Sequence, residues 1–189
     1  MKDLAKSLVL LELNEINFEY VEKYAKKYPL KLKNFNKLLK NHSRFRTTSE
    51  KEYHLLEPWI QWVSAHTALD FNSHKVFRLG DIINHQHTQI FEKIESKGYK
   101  VGCISPMNTA NRLEKPLYFI PDPWTDTKPS DDFWSRKIHK LIVQTVNDNS
   151  EGKITLESLM ILLGVFFRFF LFKSFFTYMK VVLGSLMKP

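Results

Sequence analysis

At 189 residues the chain can hold one domain with a sizeable core and is too short for two comfortable ones. An apolar fraction of 43% with 25% charged residues excludes a disordered polymer. The net charge of +8 points to acidic partners: phosphorylated substrates, nucleic acid or an anionic membrane surface. The excess is uneven, with nine Lys or Arg and one acid, Glu22, between Val21 and Arg46. Such a run reads first as solvated helix faces. The lone cysteine, Cys103, excludes an intrachain disulfide and zinc-finger spacing. Its apolar neighbours Val101 and Ile104 mark it as a small core residue in a reducing compartment. Only four consecutive apolar residues, Leu8 to Leu11, precede Glu12, which reads as no secretory leader and a cytoplasmic or membrane-peripheral protein.

In chain order, residues 7–11 are short, apolar after Ser7 and abruptly ended, and predict a buried strand. Asn17 is placed to cap a helix with Phe18, Val21 and Tyr24 on one face, stopped by Pro29. A second helix follows with Leu32, Phe35, Leu38 and Leu39 inward and Lys33, Lys37 and Lys40 outward. Residues 43–49 are a candidate second strand. Pro58 suits the first position of a helix that puts Trp59, Trp62, Val63 and His66 on one side. Thr88 is placed to cap a helix through Ile90, Phe91 and Ile94, ended by Gly98 in the left-handed region. Residues 99–104 read as a strand parallel to and neighbouring residues 8–11. Between Arg112 and Asp132 four prolines and weak periodicity predict a long surface loop, after which residues 133–146 are helical.

The chain then divides into an α/β domain, residues 1–149, and an apolar, cationic helical tail, residues 150–189, joined by a linker at 147–152. Nine apolar residues from Leu159 to Phe167 precede Arg168, Lys173 and Lys180. A central Arg or Lys costs about 2.5–3.5 kcal/mol on insertion, whereas each Leu, Ile, Phe or Val returns about 0.3–0.6 kcal/mol. A membrane span is therefore marginal, and a helix that is soluble or lies on a surface is favoured. Lys173, Thr177 and Lys180 share one face of it, so the tail is expected to associate with anionic vesicles or with itself.

Chemistry concentrates at two places. Glu12, Asn14 and Glu15 follow the first predicted strand, where ligand sites of open α/β sheets lie, and their oxygens suit a hard cation. The second is Ser64-Ala65-His66-Thr67-Ala68-Leu69 followed by Ser73-His74. Together with Phe91-Glu92-Lys93-Ile94-Glu95-Ser96-Lys97-Gly98-Tyr99-Lys100-Val101-Gly102, these segments resemble the N-terminal part of the alkaline phosphatase superfamily, its phosphodiesterases and sulfatases. The similarity runs over about residues 7 to 106, in the order the family keeps.

The resemblance implies a parallel sheet with flanking helices, incomplete here, and hydrolysis or transfer of a phosphate or sulfate ester. It implies a divalent metal (zinc, calcium or manganese), with Asn14 at the position of a metal-binding aspartate and Glu12 and Glu15 beside it. The departures weaken catalysis. Pro58 stands where the family places its nucleophile, leaving Glu57, Thr47 and Thr48 as candidate catalytic residues, and Ala68 replaces a glycine. After Cys103 the histidine available is His139, with no Asp-His pair. Two-metal chemistry needs cations on both the attacking and the leaving oxygen, so the chain alone is expected to be inactive. The rival reading is a non-enzymatic protein that binds a membrane or a partner. His85 and His87 precede a helix cap and read as loop residues. No specific nucleic-acid binding is expected, because the tryptophans and the basic residues occupy different segments.

Overall fold

In the computed structural model, which describes residues 7–29, 31–43, 45, 47–147, 155–169 and 175–176, helices predominate around a small sheet. Helix α1, Phe18–Lys27, begins at Asn17, whose side-chain oxygen accepts from the Glu19 and Tyr20 amides. Helix α2, Lys33–Asn41, follows, with Leu38 turned to solvent rather than inward. Helix α3, Pro58–Thr67, starts on its proline as the sequence predicts, and it buries Ile60, Val63 and His66. Short α4, Phe71–His74, is capped by Asp70. Helix α5, Ile90–Glu95, starts one residue later than expected: Gln89, not Thr88, is the cap residue, and Gly98 does take the left-handed conformation.

Strand β1, Gly102–Ile104, pairs in parallel with β2, Tyr118–Ile120, in the register Gly102↔Tyr118, Cys103↔Phe119, Ile104↔Ile120. This corrects three expectations. Residues 7–11 form no strand, and Leu8, Val9, Leu10 and Leu11 lie exposed. A strand apolar on both faces needs cover on both, and the described residues do not supply it. Residues 47–49 are likewise irregular and exposed. The partner of β1 comes instead from the proline-rich segment read as a surface loop, where Phe119, Ile120, Pro121 and Asp122 are buried. The prolines flank the paired residues, so they cost no ladder hydrogen bond. The other side of β2 is closed by Ser130, whose hydroxyl accepts from the Phe119 amide at 2.7 Å while its own amide donates to the Phe119 carbonyl.

Two apolar clusters hold the body together. Val63, Val76, Ile82 and Ala110 form one, and Phe91, Val101, Cys103 and Phe119 the other, with Ile90, Ile94 and Leu113 packed against it. Full burial of a side chain such as Phe119 contributes about 1.5–3 kcal/mol. Between the clusters lies a polar knot. The Asn108 side chain accepts from the Gly80 amide and donates to the Trp59 and Arg78 carbonyls, while its backbone amide donates to the Asp122 carboxylate at 2.9 Å.

Helix α6, Phe133–Asn147, packs on β2, and helix α7, Leu156–Phe169, folds back on α6. Trp134 meets Phe169 and Gly164, and Lys140 pairs with Glu157 at 2.7 Å. Leu159, Met160, Leu163 and Phe167 of α7 remain exposed. Among the described residues no helix is long and apolar enough to cross a membrane. Of the linker expected at 147–152, Asn147 is the last residue of α6, and residues 148–152 lie outside the described residues, as do Lys173, Thr177 and Lys180.

Two substitutions test this account by urea unfolding. Ala68, the cap residue of α3, holds φ at 60°, where a Cβ costs about 1–2 kcal/mol. Ala68→Gly is expected to raise stability by about 1 kcal/mol. Asn108→Ala leaves a half-buried amide and two half-buried carbonyls without this partner, and is expected to lower stability by about 2–4 kcal/mol.

Candidate functional site

Three segments meet beyond the carboxyl end of β1. The turn at residues 12–15 supplies Glu12 and Asn14, α3 supplies Trp62 and His66, and the loop after β1 supplies Met107 and Thr109. Trp62 and His66 are four apart on α3 and therefore share a face. Their rings stack at 5.7 Å, and Phe91 packs against the imidazole in a tilted contact at 5.2 Å. Backbone strain gathers here too: Glu15, Ser105 and Asn108 all take positive φ without being glycine.

The Glu12 carboxylate lies 2.7 Å from Nε2 of His66, and Nδ1 of that ring lies 3.1 Å from the Thr109 hydroxyl. A carboxylate only accepts, so Nε2 carries the hydrogen, and in the neutral ring Nδ1 accepts from Thr109. Hydroxyl, imidazole and carboxylate in a row form the arrangement that activates a nucleophile. Thr109, however, is 1% exposed, so its oxygen does not meet substrate. In this geometry the row ties the 12–15 turn to α3 and to the loop after β1.

The Ser64 and His74 pair from the second motif has an analogous explanation. The Val76 amide donates to His74 Nδ1 at 3.0 Å, so the hydrogen sits on Nε2 and is donated to the Ser64 hydroxyl, also at 3.0 Å. A histidine that donates to a serine does not take its proton. The pair joins α3 to α4. Burial lowers the His74 pKa, assisted by the neighbouring His87 and partly opposed by Glu50. His87 donates from Nε2 to the His74 carbonyl and stacks with His85 at 5.7 Å, in a loop as the sequence implied.

The other candidates do not converge on this point. Glu57, at the cap of α3, and Thr47 and Thr48 are exposed, and no described hydrogen bond links their side chains with Glu12, Asn14 or Glu15. Pro58 occupies the first position of α3 and has no group to attack with. The arrangement also does not fit a divalent cation. Glu12 is engaged by His66, the Asn14 oxygen by the Trp62 indole N–H, and Glu15 is exposed. Among the described residues no group of three His, Cys, Asp or Glu side chains could hold a metal. Cys103 is buried, and burial together with the Glu12 charge pushes its thiol up to about 12, so it is no thiolate at neutral pH.

Sequence reasoning missed Thr109, Asn108, Gln89 and Arg112, and it placed the Asp122-Pro123-Trp124 loop at a pocket rim without the role of Asp122. Asp122 accepts from the Trp124 and Thr125 amides and from the Thr125 hydroxyl; an Asp three residues ahead of a Thr, next to prolines, is the available signal for such a turn. Gln89 pairs with the Ala110 backbone in both directions, and Arg112 donates to the carbonyls of Ile82, His85 and His87. No local pattern announces these, because each partner is twenty or more residues away.

Comparison with known proteins finds no matching family model, no matching curated protein and no matching solved structure.

The lowered His74 pKa has a defined consequence. The native state binds this proton less readily than the unfolded chain, so the stability it protects is fully present above pH 6.5, the ordinary histidine value, and falls as the pH drops below it. Thermal unfolding across that range is expected to show the decline. His74→Gln, although less stable at neutral pH, is expected to show a flatter one.

Proposed function

We propose that the chain carries the amino-terminal half of a site for phosphate or sulfate esters, in an alkaline-phosphatase-like α/β scaffold, and that its described residues do not catalyse turnover by themselves. One observation carries the reading: the Glu12–Asn14 turn is docked on α3 beside the loop that leaves β1, the end of the sheet where α/β enzymes bind ligands. The order of the three motifs supports the scaffold. Proline at the nucleophile position, and Glu12 and Asn14 engaged by His66 and Trp62, support the inactivity.

A second reading, a binding protein without catalysis, is favoured by a different observation. Leu8, Val9, Leu10, Leu11 and Leu13 form a run of exposed apolar side chains. The edge of β1 away from β2 makes no hydrogen bond among the described residues. Unpaired edges beside exposed apolar chain invite a further strand.

Assays of an aryl phosphate and an aryl sulfate, with added zinc, manganese or calcium, are expected to show no turnover above background. Metal-dependent turnover that disappears in Glu12→Ala or Asn14→Ala would overturn the inactivity. Extending the chain through any reading frame that follows Pro189 separates the two readings. Activity gained on extension and lost again in Asn14→Ala supports the hydrolase scaffold, and continued inactivity favours the binding protein.

A further inference from the structure

The tryptophans of this chain lie apart from its basic run, but three of its seven tyrosines, Tyr20, Tyr24 and Tyr28, do not. On α1 the side chains of Glu22, Ala25 and Lys26 turn toward Asn36, Leu39 and Lys40 of α2, lining a shallow groove of about 350 Å³ between the two helices. Tyr20 and Tyr24, four residues apart, lie on the opposite face, and Tyr28 continues their line just past the helix end. All three are exposed, Tyr20 at 69%. Lysine ammonium groups sit over two of these rings: Lys23 over Tyr20 at 5.6 Å, and Lys27 and Lys31 over Tyr28 at 5.3 and 5.4 Å. Glu22, one of the two acids of α1, is on the groove side, and Glu19, in the first turn, lies four residues before Lys23 at the lysine edge of the stripe.

We propose that this tyrosine–lysine stripe is a docking surface for an anionic lipid bilayer. Charge complementarity selects a polyanion, since the stripe carries three ammonium groups against the single carboxylate of Glu19 at its edge. The ring geometry favours one that does not stack. A single-stranded nucleic acid binds by stacking bases on free aromatic faces. Here the Tyr20 and Tyr28 rings each have a face covered by ammonium, and Tyr24 leans on Tyr28 with centroids 4.8 Å apart. A bilayer interface needs no free ring face. It takes the apolar body of a tyrosine below the headgroups with the hydroxyl at their level, while the lysine stems lie along the rings and the ammonium groups meet the phosphates. Helix α1 is too short to enter as a span and lies along the surface.

The test is co-sedimentation of the full chain with phosphatidylserine-containing vesicles and with vesicles of phosphatidylcholine alone. Binding is expected with the first, weakening as salt is added, and not with the second. Each lysine near an anionic surface contributes about fivefold in affinity, so the combined variant Lys23→Gln, Lys27→Gln, Lys31→Gln is expected to bind about a hundredfold more weakly. The matching Lys→Arg triple variant is expected to bind as the parent does, which separates loss of charge from loss of fold. Tyr20→Ser, at an exposed position, is expected to weaken binding without changing its dependence on salt. Three results would overturn the proposal: equal binding by the Lys→Gln variant, which places the contact on α7 or elsewhere; equal binding to neutral vesicles; or binding of a single-stranded oligonucleotide without vesicle binding.

Discussion

The buried carboxylate of Asp122 is the constraint on which the rest of the body depends. It is 1% exposed, and among the described residues it forms no ion pair. Four donors neutralise it instead: the amides of Asn108, Trp124 and Thr125 and the Thr125 hydroxyl. A charge withdrawn from water is tolerated only when its lone pairs are filled, so the segments that fill them are not free to move apart. Through Asn108 the constraint reaches the Trp59 carbonyl in α3 and the Gly80 and Arg78 backbone. The loop after β1, the start of α3 and the segment after β2 are thereby fixed to one another.

That knot explains why the site end looks catalytic in composition and structural in geometry. With α3 and the loop after β1 locked, His66 is held between Thr109 and Glu12, and His74 between Val76 and Ser64. Each imidazole has both nitrogens engaged. Histidine suits such positions because it can donate on one side and accept on the other inside a low-dielectric interior. The same versatility makes it a catalyst elsewhere, so its identity in a motif does not distinguish the two uses; the burial of the Thr109 hydroxyl does so for His66, and the direction of the hydrogen bond to Ser64 does so for His74.

The surface shows the complementary imbalance. The apolar residues at 8–11, the outer side of α7 and the tyrosines of α1 are all exposed, although the chain has the apolar content of an ordinary folded protein. Exposed apolar surface beyond a few hundred Å² is characteristic of interfaces. Cys103 and Phe119 pack in a filled cluster where the sheet forms, so the exposed apolar groups reflect surfaces without a neighbour among the described residues and not a poorly packed body.

Much of the local structure was legible in the sequence. Asn17 as a cap, Pro58 at the start of α3, Gly98 in the left-handed region and Cys103 in the core each follow from the stereochemistry or size of one residue, which does not depend on distant partners. The motif around His66 and His74 was visible as composition, but the tautomers, and with them the roles, were set by Glu12 and by the Val76 amide. Strand pairing was decided by tertiary structure alone. Residues 7–11 and 118–120 are both short apolar runs, and only the second gains Val101 and Cys103 on one side and Ser130 on the other. A strand exists only with a neighbour, and nothing in its own residues names that neighbour.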